Sequence, residues 1–187
     1  MEEEIRKTVA ALKTGKTILY PTDTIWGIGC DATSSKAVEK IYKIKKRVEN
    51  KSFIILLDDA SRIKKYVKQI PEIAVDLLSS INTPLTIIYP QAKNLAKNVV
   101  AKDGSIAIRI IEDEFSKKVI AEFGKPIVST SANITGGSNP IVFSQVSQEI
   151  KDAVDYVVNL HHKRISETKP STIIKLEISG EFKVIRS

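Results

Sequence analysis

The chain of 187 residues is predicted to fold as one α/β (α+β) domain, a twisted mixed β-sheet with flanking helices. Stretches in which apolar residues recur at helical spacing alternate with short apolar runs typical of strands along the whole chain. No internal repeat, low-complexity segment or long linker divides it. The length suits one sizeable domain better than two. We therefore expect residues 1–187 to form a single domain.

Helices are predicted where the apolar spacing is close to 3.6 residues, and several of them have residues suited to start or stop a helix. The predicted helices run over 2–13, from Ser34 or Ser35 to 44, from Pro71 to 78, over 112–123 and over 143–154. Gly15 and Gly124 are suited to end the first and the fourth helix. A serine caps the second, and proline suits the first turn of the third.

Strands are predicted from short apolar or β-branched runs between these helices. They cover 17–20, 53–57, 85–89, 106–110, 127–128, 156–158, 172–174 and 182–185. The run 53–57 is nearly all apolar, which predicts a buried central strand. The polar residues 129–133 are expected to form a loop after the short strand 127–128.

Composition limits the classes of function. Cys30 is the only cysteine, which excludes an intrachain disulfide and a cysteine-based zinc site and favours a reducing cytoplasmic location. No apolar run approaches the roughly 20 residues of a membrane helix, and the acidic start 1–4 is unlike a signal peptide. The formal net charge of +7 favours anionic partners such as nucleotides, phosphates or RNA. A solvated basic surface is an equally good interpretation of that charge.

The most unusual segment is residues 20–29 (YPTDTIWGIG), which follows a predicted strand. Thr22 and Thr24 are two residues apart, so they point to the same side of an extended segment. Gly27 and Gly29 allow a close approach of backbone or ligand that a side chain would block. This combination predicts a binding segment, and a strand followed by a tight turn is the alternative.

Further candidate binding segments carry cations or hydroxyls at the ends of predicted helices and strands. Residues 43–47 (KIKKR) either compensate a helix dipole or bind phosphate groups. Arg109 ends an apolar strand, where it either binds a carboxylate or phosphate or lies at an exposed edge. Residues 129–133 (STSAN) suit an anion-binding loop or a capped turn. Residues 169–174 (KPSTII) repeat the order of proline, hydroxyls and strand, and Arg186 follows the last predicted strand.

Motifs of several common enzyme classes are missing. The chain has no Walker A pattern, no third glycine for a dinucleotide fingerprint and no Gly-x-Ser-x-Gly elbow. The pair His161–His162 lies in a basic stretch and is interpreted as solvated surface rather than as metal ligands.

In their order and spacing, the motifs at 20–29, 45–47 (KKR), 131–133 (SAN) and 170–172 (PST) resemble those of the YrdC-like family of threonylcarbamoyl-AMP synthases, also called TsaC. The resemblance spans nearly the whole chain. It implies a YrdC-like sheet curved around a large, positively charged cavity. It also implies synthesis of threonylcarbamoyl-AMP and pyrophosphate from L-threonine, bicarbonate and ATP. That product feeds the N6-threonylcarbamoyl modification of adenosine 37 in tRNA, which a second protein complex completes.

The resemblance further implies roles for individual residues. Threonine would be bound by Thr24, Arg109, Ser131 and Ser171. ATP would be bound by Lys45, Arg47, Lys51, Ser105, Asn133 and Arg186, with Lys45 and Arg47 as catalytic residues. Mg²⁺ would accompany ATP, and no metal ligands are assigned to the protein. Asp23 would orient the threonine-binding segment or hold a metal-bound water.

The chain departs from the family pattern beside the phosphate-binding residues. Val48 and Ser52 occupy positions where the family usually has proline, and Ile110 follows the strand arginine where a proline is also frequent. These departures keep open a YrdC-like paralogue that binds nucleotide or RNA, either tRNA or double-stranded RNA. The low aromatic content of 6% leaves few platforms for stacking single-stranded bases.

Overall fold

The computed structural model describes residues 1–47, 53–162 and 171–186, and its helices and strands alternate along the chain. The helices are α1 (Glu2–Lys13), α2 (Ser35–Ile44), α3 (Ile73–Ser80), α4 (Glu114–Phe123) and α5 (Gln148–Ala153). The strands are β1 (Ile18–Tyr20), β2 (Gly27–Gly29), β3 (Ile54–Leu57), β4 (Leu85–Tyr89), β5 (Ile106–Ile110), β6 (Ile127–Ser131), β7 (Tyr156–Val157), β8 (Thr172–Leu176) and β9 (Phe182–Arg186).

These nine strands of the described chain form one mixed sheet in the order β7-β1-β2-β6-β3-β5-β4-β8-β9. The pairs β1–β7, β3–β5 and β4–β8 are parallel, and the other neighbours are antiparallel. The apolar strand β3 lies at the centre of the order, as its sequence predicts. The predicted fold class, an α/β domain with a mixed sheet and flanking helices, is confirmed.

Helices begin and end at residues that are suited to cap them. Ser34 caps α2, where its side chain accepts a hydrogen bond from Ala37 N. Gly124 ends α4 in the left-handed region with φ of 78°, which costs glycine little. The predicted start of α4 is two residues early because Asp113 is the cap. Pro71 lies just before α3, and its carbonyl accepts from Ala74 N at 2.9 Å.

The helix predicted over 143–154 is wrong as one element. A short 3₁₀ turn occupies Phe143–Gln145, and the backbone of Val146 is extended. Ser147 then caps α5 by accepting from Ile150 N, because a serine side chain satisfies amides that a new helix leaves open. A second 3₁₀ turn at Ala60–Lys65 was not predicted.

The predicted loop at 129–133 is partly wrong, because β6 continues to Ser131. The reason is strand β2, which sequence reasoning missed, since glycine is unfavourable in strands. Gly27 pairs with Ser131 and Ile28 with Thr130, so residues expected to turn are held in the sheet.

The two faces of the sheet are covered differently, since alternate strand residues point to opposite sides. Ile55, Ile87 and Ile108 belong to a large buried core that includes residues of α2 and α3. On the other face, Leu56 and Ile127 are buried with residues of α1 and α4. These two helices cover only part of that face, so the rest is free to form the floor of a site.

No helix in the described ranges combines the length and apolar character needed to cross a membrane.

Candidate functional site

The uncovered part of the sheet face forms the floor of a cavity of about 340 Å³. Its lining combines apolar side chains, most of them isoleucine, with hydroxyls and guanidinium groups. The lining residues are Thr22, Thr24, Ile25, Gly27, Arg47, Phe53, Ile54, Ile88, Ala107, Arg109, Ser129, Thr130, Ser131, Asn139, Ser171, Ile173 and Arg186. Within the described part of the chain, this lining contains arginine but no carboxylate. Such a set of donors suits an anionic ligand.

Strand register brings the predicted threonine-binding residues together. Gly27 pairs with Ser131, which sets the end of the 20–29 segment beside β6. Leu56 is the partner of Arg109 across β3 and β5, so that arginine emerges on the partly covered face. Thr24, Arg109, Ser131 and Ser171 all line the cavity, although they are far apart in sequence.

Arg109 is buried, with 6% of its surface exposed, and is held by the 20–29 segment. Its Nη2 donates to Asp23 Oδ1 at 2.7 Å, and its Nη1 donates to Thr24 Oγ1 at 3.2 Å. Burial raises the pKa of the Asp23 carboxyl, while the Arg109 charge opposes that shift. The ion pair therefore fixes the guanidinium in the cavity wall and ties β5 to the segment that carries Thr24.

Thr22 shapes the segment around Thr24. Its Oγ1 accepts from the backbone N–H groups of Thr24 at 3.1 Å and Ile25 at 3.2 Å. The same hydroxyl donates to the Ile25 carbonyl at 2.7 Å. A threonine that bonds the following backbone stabilises a turn, so Thr22 positions the Thr24 hydroxyl at the cavity.

Lys45 lies behind the cavity and contacts the segment after β6. Its Nζ donates to Ser131 O at 2.6 Å, Asn133 O at 2.7 Å and Asn133 Oδ1 at 3.0 Å. Asn133 Oδ1 also accepts from Ser131 Oγ at 2.6 Å. Lys45 and Asn133 are thus brought beside Ser131, but neither is among the cavity-lining residues. The three acceptors use all the ammonium protons.

The charge of Lys45 should make anion binding depend on pH. Burial, together with the nearby Arg47 charge, lowers the pKa of Lys45 to about 8. The ammonium is therefore present below that pH and is lost above it. If ATP binds here as the family resemblance implies, its affinity should fall as the pH rises from about 7 to about 9, measured by isothermal titration calorimetry. Lys45→Met should bind more weakly at the lower pH and show no such fall. An equal pH dependence in both proteins would contradict this role.

Arg47 and Arg186 bring two further cations to the cavity. The Arg47 guanidinium lies over the Phe53 ring, with Cζ 4.6 Å from the ring centroid, an arrangement that favours a fixed cation. Burial lowers the pKa of Arg47, but an arginine stays charged at any working pH. Arg186 donates through Nη2 to the Ser171 carbonyl at 2.7 Å. Ser171 Oγ in turn is 2.8 Å from Thr86 Oγ1.

Ser105 is not brought to this cavity. Its hydroxyl donates to Asp103 Oδ1 at 2.6 Å, and it lines a separate surface depression that includes Lys175. Lys51, like the departures at Val48 and Ser52, lies outside the described residues. The stretch 163–170, with Pro170 of the PST motif, lies outside them as well.

Sequence reasoning missed the lining residues Phe53 and Asn139, and it placed Ser129 in a candidate anion-binding loop without a role of its own. Ser129 carried a usable signal, since it is two residues before Ser131 and shares its face if the strand continues. Phe53 was assigned to a central strand on its apolar character alone. Asn139 had no local pattern that pointed to a site.

The donor set does not fit a magnesium ion held by the protein. Across the described ranges, no three or more His, Cys, Asp or Glu residues are grouped to hold a metal ion. Hydroxyls and guanidinium groups line the cavity, whereas Mg²⁺ prefers carboxylate and phosphate oxygens. Asp23, the one acidic residue of the 20–29 segment, is paired with Arg109. Binding of Mg²⁺ through the phosphates of ATP therefore stays a prediction.

The fold and the site define an α/β protein whose mixed sheet carries arginines and hydroxyls on its open face, in a cavity suited to an anionic ligand. A family model named Sua5_yciO_yrdC, with the description "telomere recombination", matches residues 10–187. The chain belongs to this Sua5/YciO/YrdC family, which confirms the family resemblance.

Individual relatives agree with that assignment. Threonylcarbamoyl-AMP synthase of Pseudoalteromonas translucida is 33% identical over 175 residues, 92% of each chain. The putative threonylcarbamoyl-AMP synthase of Methanocaldococcus jannaschii is 36% identical over 181 residues, 94% of this chain and 84% of that protein.

Solved structures extend the comparison to the fold. P. abyssi Sua5 complexed with L-threonine has a TM-score of 0.83 at 26% identity, covering 94% of this chain. The chain spans about half of that protein, 52% of its length. E. coli YciO has a TM-score of 0.86 at 24% identity, with 100% of this chain and 90% of that chain covered, and shows the same fold.

Proposed function

We propose that this protein is an L-threonylcarbamoyladenylate synthase, a nucleotidyltransferase that uses L-threonine, bicarbonate and ATP. The observation that carries the proposal is the cavity in which Arg47, Arg109 and Arg186 converge with Thr24 and several serine hydroxyls. Relatives at 33% and 36% identity carry the name of that activity or its putative form. A structure of P. abyssi Sua5, a family member, is described as complexed with L-threonine.

The chemistry requires two bond-forming steps. The threonine amine adds to the bicarbonate carbon, and loss of water leaves a carbamate. A carbamate oxygen then attacks the α-phosphorus of ATP, and the bond to the β-phosphate oxygen breaks to release pyrophosphate. Each step crowds anions together, so the protein accelerates it by holding the reactants in line and offsetting their charge.

The cavity residues fall into two groups, one that would bind threonine and one that would bind ATP. Arg109 offers guanidinium N–H groups for the threonine carboxylate, next to the hydroxyls of Thr24 and Ser131. Arg47, fixed over Phe53, would bind phosphate oxygens, and Arg186 would add a second cation on the nucleotide side. Lys45 and Asn133 would act by positioning Ser131, through the bonds that join them.

The proposed activity is tested by the substrate dependence of pyrophosphate release. Purified protein should release pyrophosphate when threonine, bicarbonate and ATP are all present and should be inactive when any one is omitted. The adenylate product should carry label from ¹⁴C-bicarbonate. Pyrophosphate release that does not depend on threonine would refute the proposal and would favour a nucleotide-binding paralogue.

Arg47→Ala should abolish measurable ATP binding without unfolding the protein. The substitution removes a partly buried guanidinium that lines the cavity and that would bind the phosphates in this proposal, so the core is left intact. Titration calorimetry with ATP and a thermal melt measure the two effects. Arg6→Ala, at an exposed position of α1, is the matched control and should bind as the wild type does. Unchanged affinity in Arg47→Ala would remove Arg47 from the phosphate site.

In the proposed pathway, the adenylate product passes to a tRNA threonylcarbamoyl-transferase complex in the cytoplasm. Complementation of cells that lack the tRNA modification tests this step separately from the chemistry in vitro.

A further inference from the structure

Three aromatic rings form a cluster beside the cavity that the roles above do not use. The Trp26 ring centroid lies 5.0 Å from that of Phe143 and 5.5 Å from that of His162. The Phe143 and His162 rings stack, with centroids 3.9 Å apart and 9° between their planes. Trp26 is fully buried, and the other two are half-buried. The interpretation of residues 161–162 as solvated surface is therefore wrong for His162.

His162 is anchored to the sheet. Its Nε2 donates to the Val158 carbonyl at 2.9 Å, because a carbonyl oxygen can only accept a hydrogen bond. Val158 is fully buried, and its own N–H donates to the carbonyl of Leu19 in β1 at 2.9 Å. The imidazole is thus connected to a buried strand and gives its two aromatic partners a fixed surface to pack on.

The two partners of His162 come from segments that form the cavity wall. Trp26 lies between Ile25 and Gly27, which both line the cavity. Phe143 begins a 3₁₀ turn a few residues after Asn139, another lining residue. The ring cluster therefore joins two parts of the wall that are more than 100 residues apart in sequence.

The position of Thr24 depends on how firmly Trp26 is held. Residues 21–26 form no helix or strand, and Thr24 is two residues before the indole. The Thr24 hydroxyl is 3.2 Å from Thr22 Oγ1 and 3.2 Å from Arg109 Nη1. Both distances are long for bonds of their kind, so these contacts hold the hydroxyl weakly. Displacement of the indole would therefore also displace the Thr24 hydroxyl.

We propose that His162 is a positioning residue that holds Trp26 and, through it, the Thr24 hydroxyl in the threonine site. The inference rests on the proposed function, which gives that hydroxyl its ligand. His162 is not among the described residues that line the cavity. It therefore acts through its ring contacts with Trp26 and Phe143 and does not touch the substrate.

The first test is a selective change in steady-state kinetics. His162→Ala should raise the Michaelis constant for threonine about tenfold, which is the scale of the lost ring contacts. The apparent affinity falls because a smaller fraction of the protein has the wall in its binding arrangement. The turnover number and the constant for ATP should change little. Phe143→Leu removes the stacking partner and should give the same selective rise, including where His162→Ala does not fold.

Two further variants separate positioning from stability. His162→Phe keeps a flat ring against Phe143 and should keep the threonine constant close to that of the wild type. His161→Asn is the matched control, since His161 has no ring contact within the described ranges and asparagine tolerates its φ of 57°. A role in stability alone would lower turnover through loss of folded enzyme and leave the threonine constant unchanged. That result, or an equal rise in His162→Phe, would overturn the proposal.

The second test does not depend on turnover. Trp26 is the only tryptophan of the chain, so its fluorescence reports on the cluster alone. Acrylamide should quench Trp26 more strongly in His162→Ala than in the wild type, and calorimetry without ATP should show weaker threonine binding. Equal quenching or equal threonine affinity in the two proteins would overturn the positioning role. A wild type that shows both differences from His162→Ala but releases no pyrophosphate would instead refute the proposed function and keep the positioning role.

Discussion

Arg109→Lys should raise the Michaelis constant for threonine about a hundredfold, equivalent to about 3 kcal/mol of binding free energy. The guanidinium bonds Asp23 and Thr24 simultaneously and still has N–H groups for a carboxylate. A lysine can keep the ion pair with Asp23 but has no planar fork for the remaining contacts. Steady-state kinetics with varied threonine measure the effect, and the melting temperature should change little.

A charge-neutral variant provides the contrast. Arg109→Met leaves the largely buried Asp23 carboxylate without its cation, which should lower the free energy of unfolding by about 3 kcal/mol or more. The double variant Asp23→Asn, Arg109→Met should recover much of that stability in urea titrations but none of the threonine affinity. A normal threonine constant in Arg109→Lys would show that the substrate carboxylate binds elsewhere.

Gly29→Ala should lower the free energy of unfolding by about 3 kcal/mol, or the melting temperature by roughly 10 °C. The added methyl would lie 2.7 Å from the Val128 carbonyl oxygen and 2.8 Å from Tyr20 Cε1. One neighbour is backbone of the paired strand and the other is a buried ring, so neither can move easily. Thermal and urea unfolding measure the loss.

Gly27→Ala is the matched control on the same strand. Its methyl would meet neighbours at 3.4 to 3.6 Å, which are ordinary contact distances, so the fold should keep its stability. Gly27 lines the cavity, and the methyl should instead weaken ligand binding. Equal stability of the two variants would contradict the packing argument for Gly29.

The fold was predictable where one local signal decides an element. The uniform apolar run of β3 indicated the centre of the sheet, and the Ser34 cap and the Gly124 stop indicated helix ends. Strand β2 could not be found this way, because its two glycines are poor strand formers, and the packing that requires Gly29, the Tyr20 ring over the strand, is not visible in the sequence. The same missing strand explains why Ser129 and Thr130 were expected in a loop.

The candidate site was predictable as a set of residue types but not as a set of contacts. Arg109 was recognised by its place at a strand end, whereas its partner Asp23 depends on a contact over 86 residues. Lys45 was predicted to bind phosphate groups, but its ammonium contacts Ser131 and Asn133. These contacts depend on how α2 packs against β6, which the sequence does not show. Ser105 matched the family position, yet a local bond to Asp103 holds its hydroxyl.

The partial cover of one sheet face has a consequence for how this chain tolerates change. Along β6, Val128 belongs to the main core while its neighbours Ser129 and Ile127 face the other side, one toward the cavity and one under the helices. Neighbouring residues of β6 therefore serve different purposes: Val128 stabilises the core, and Ser129 lines the cavity. Insertion or deletion of one residue would move each β6 side chain to the opposite face, placing Ile127 and Ser129 on the side of the main core and Val128 on the side of the cavity. Strand β6 should therefore tolerate a substitution by a similar residue better than an insertion or deletion that shifts its register.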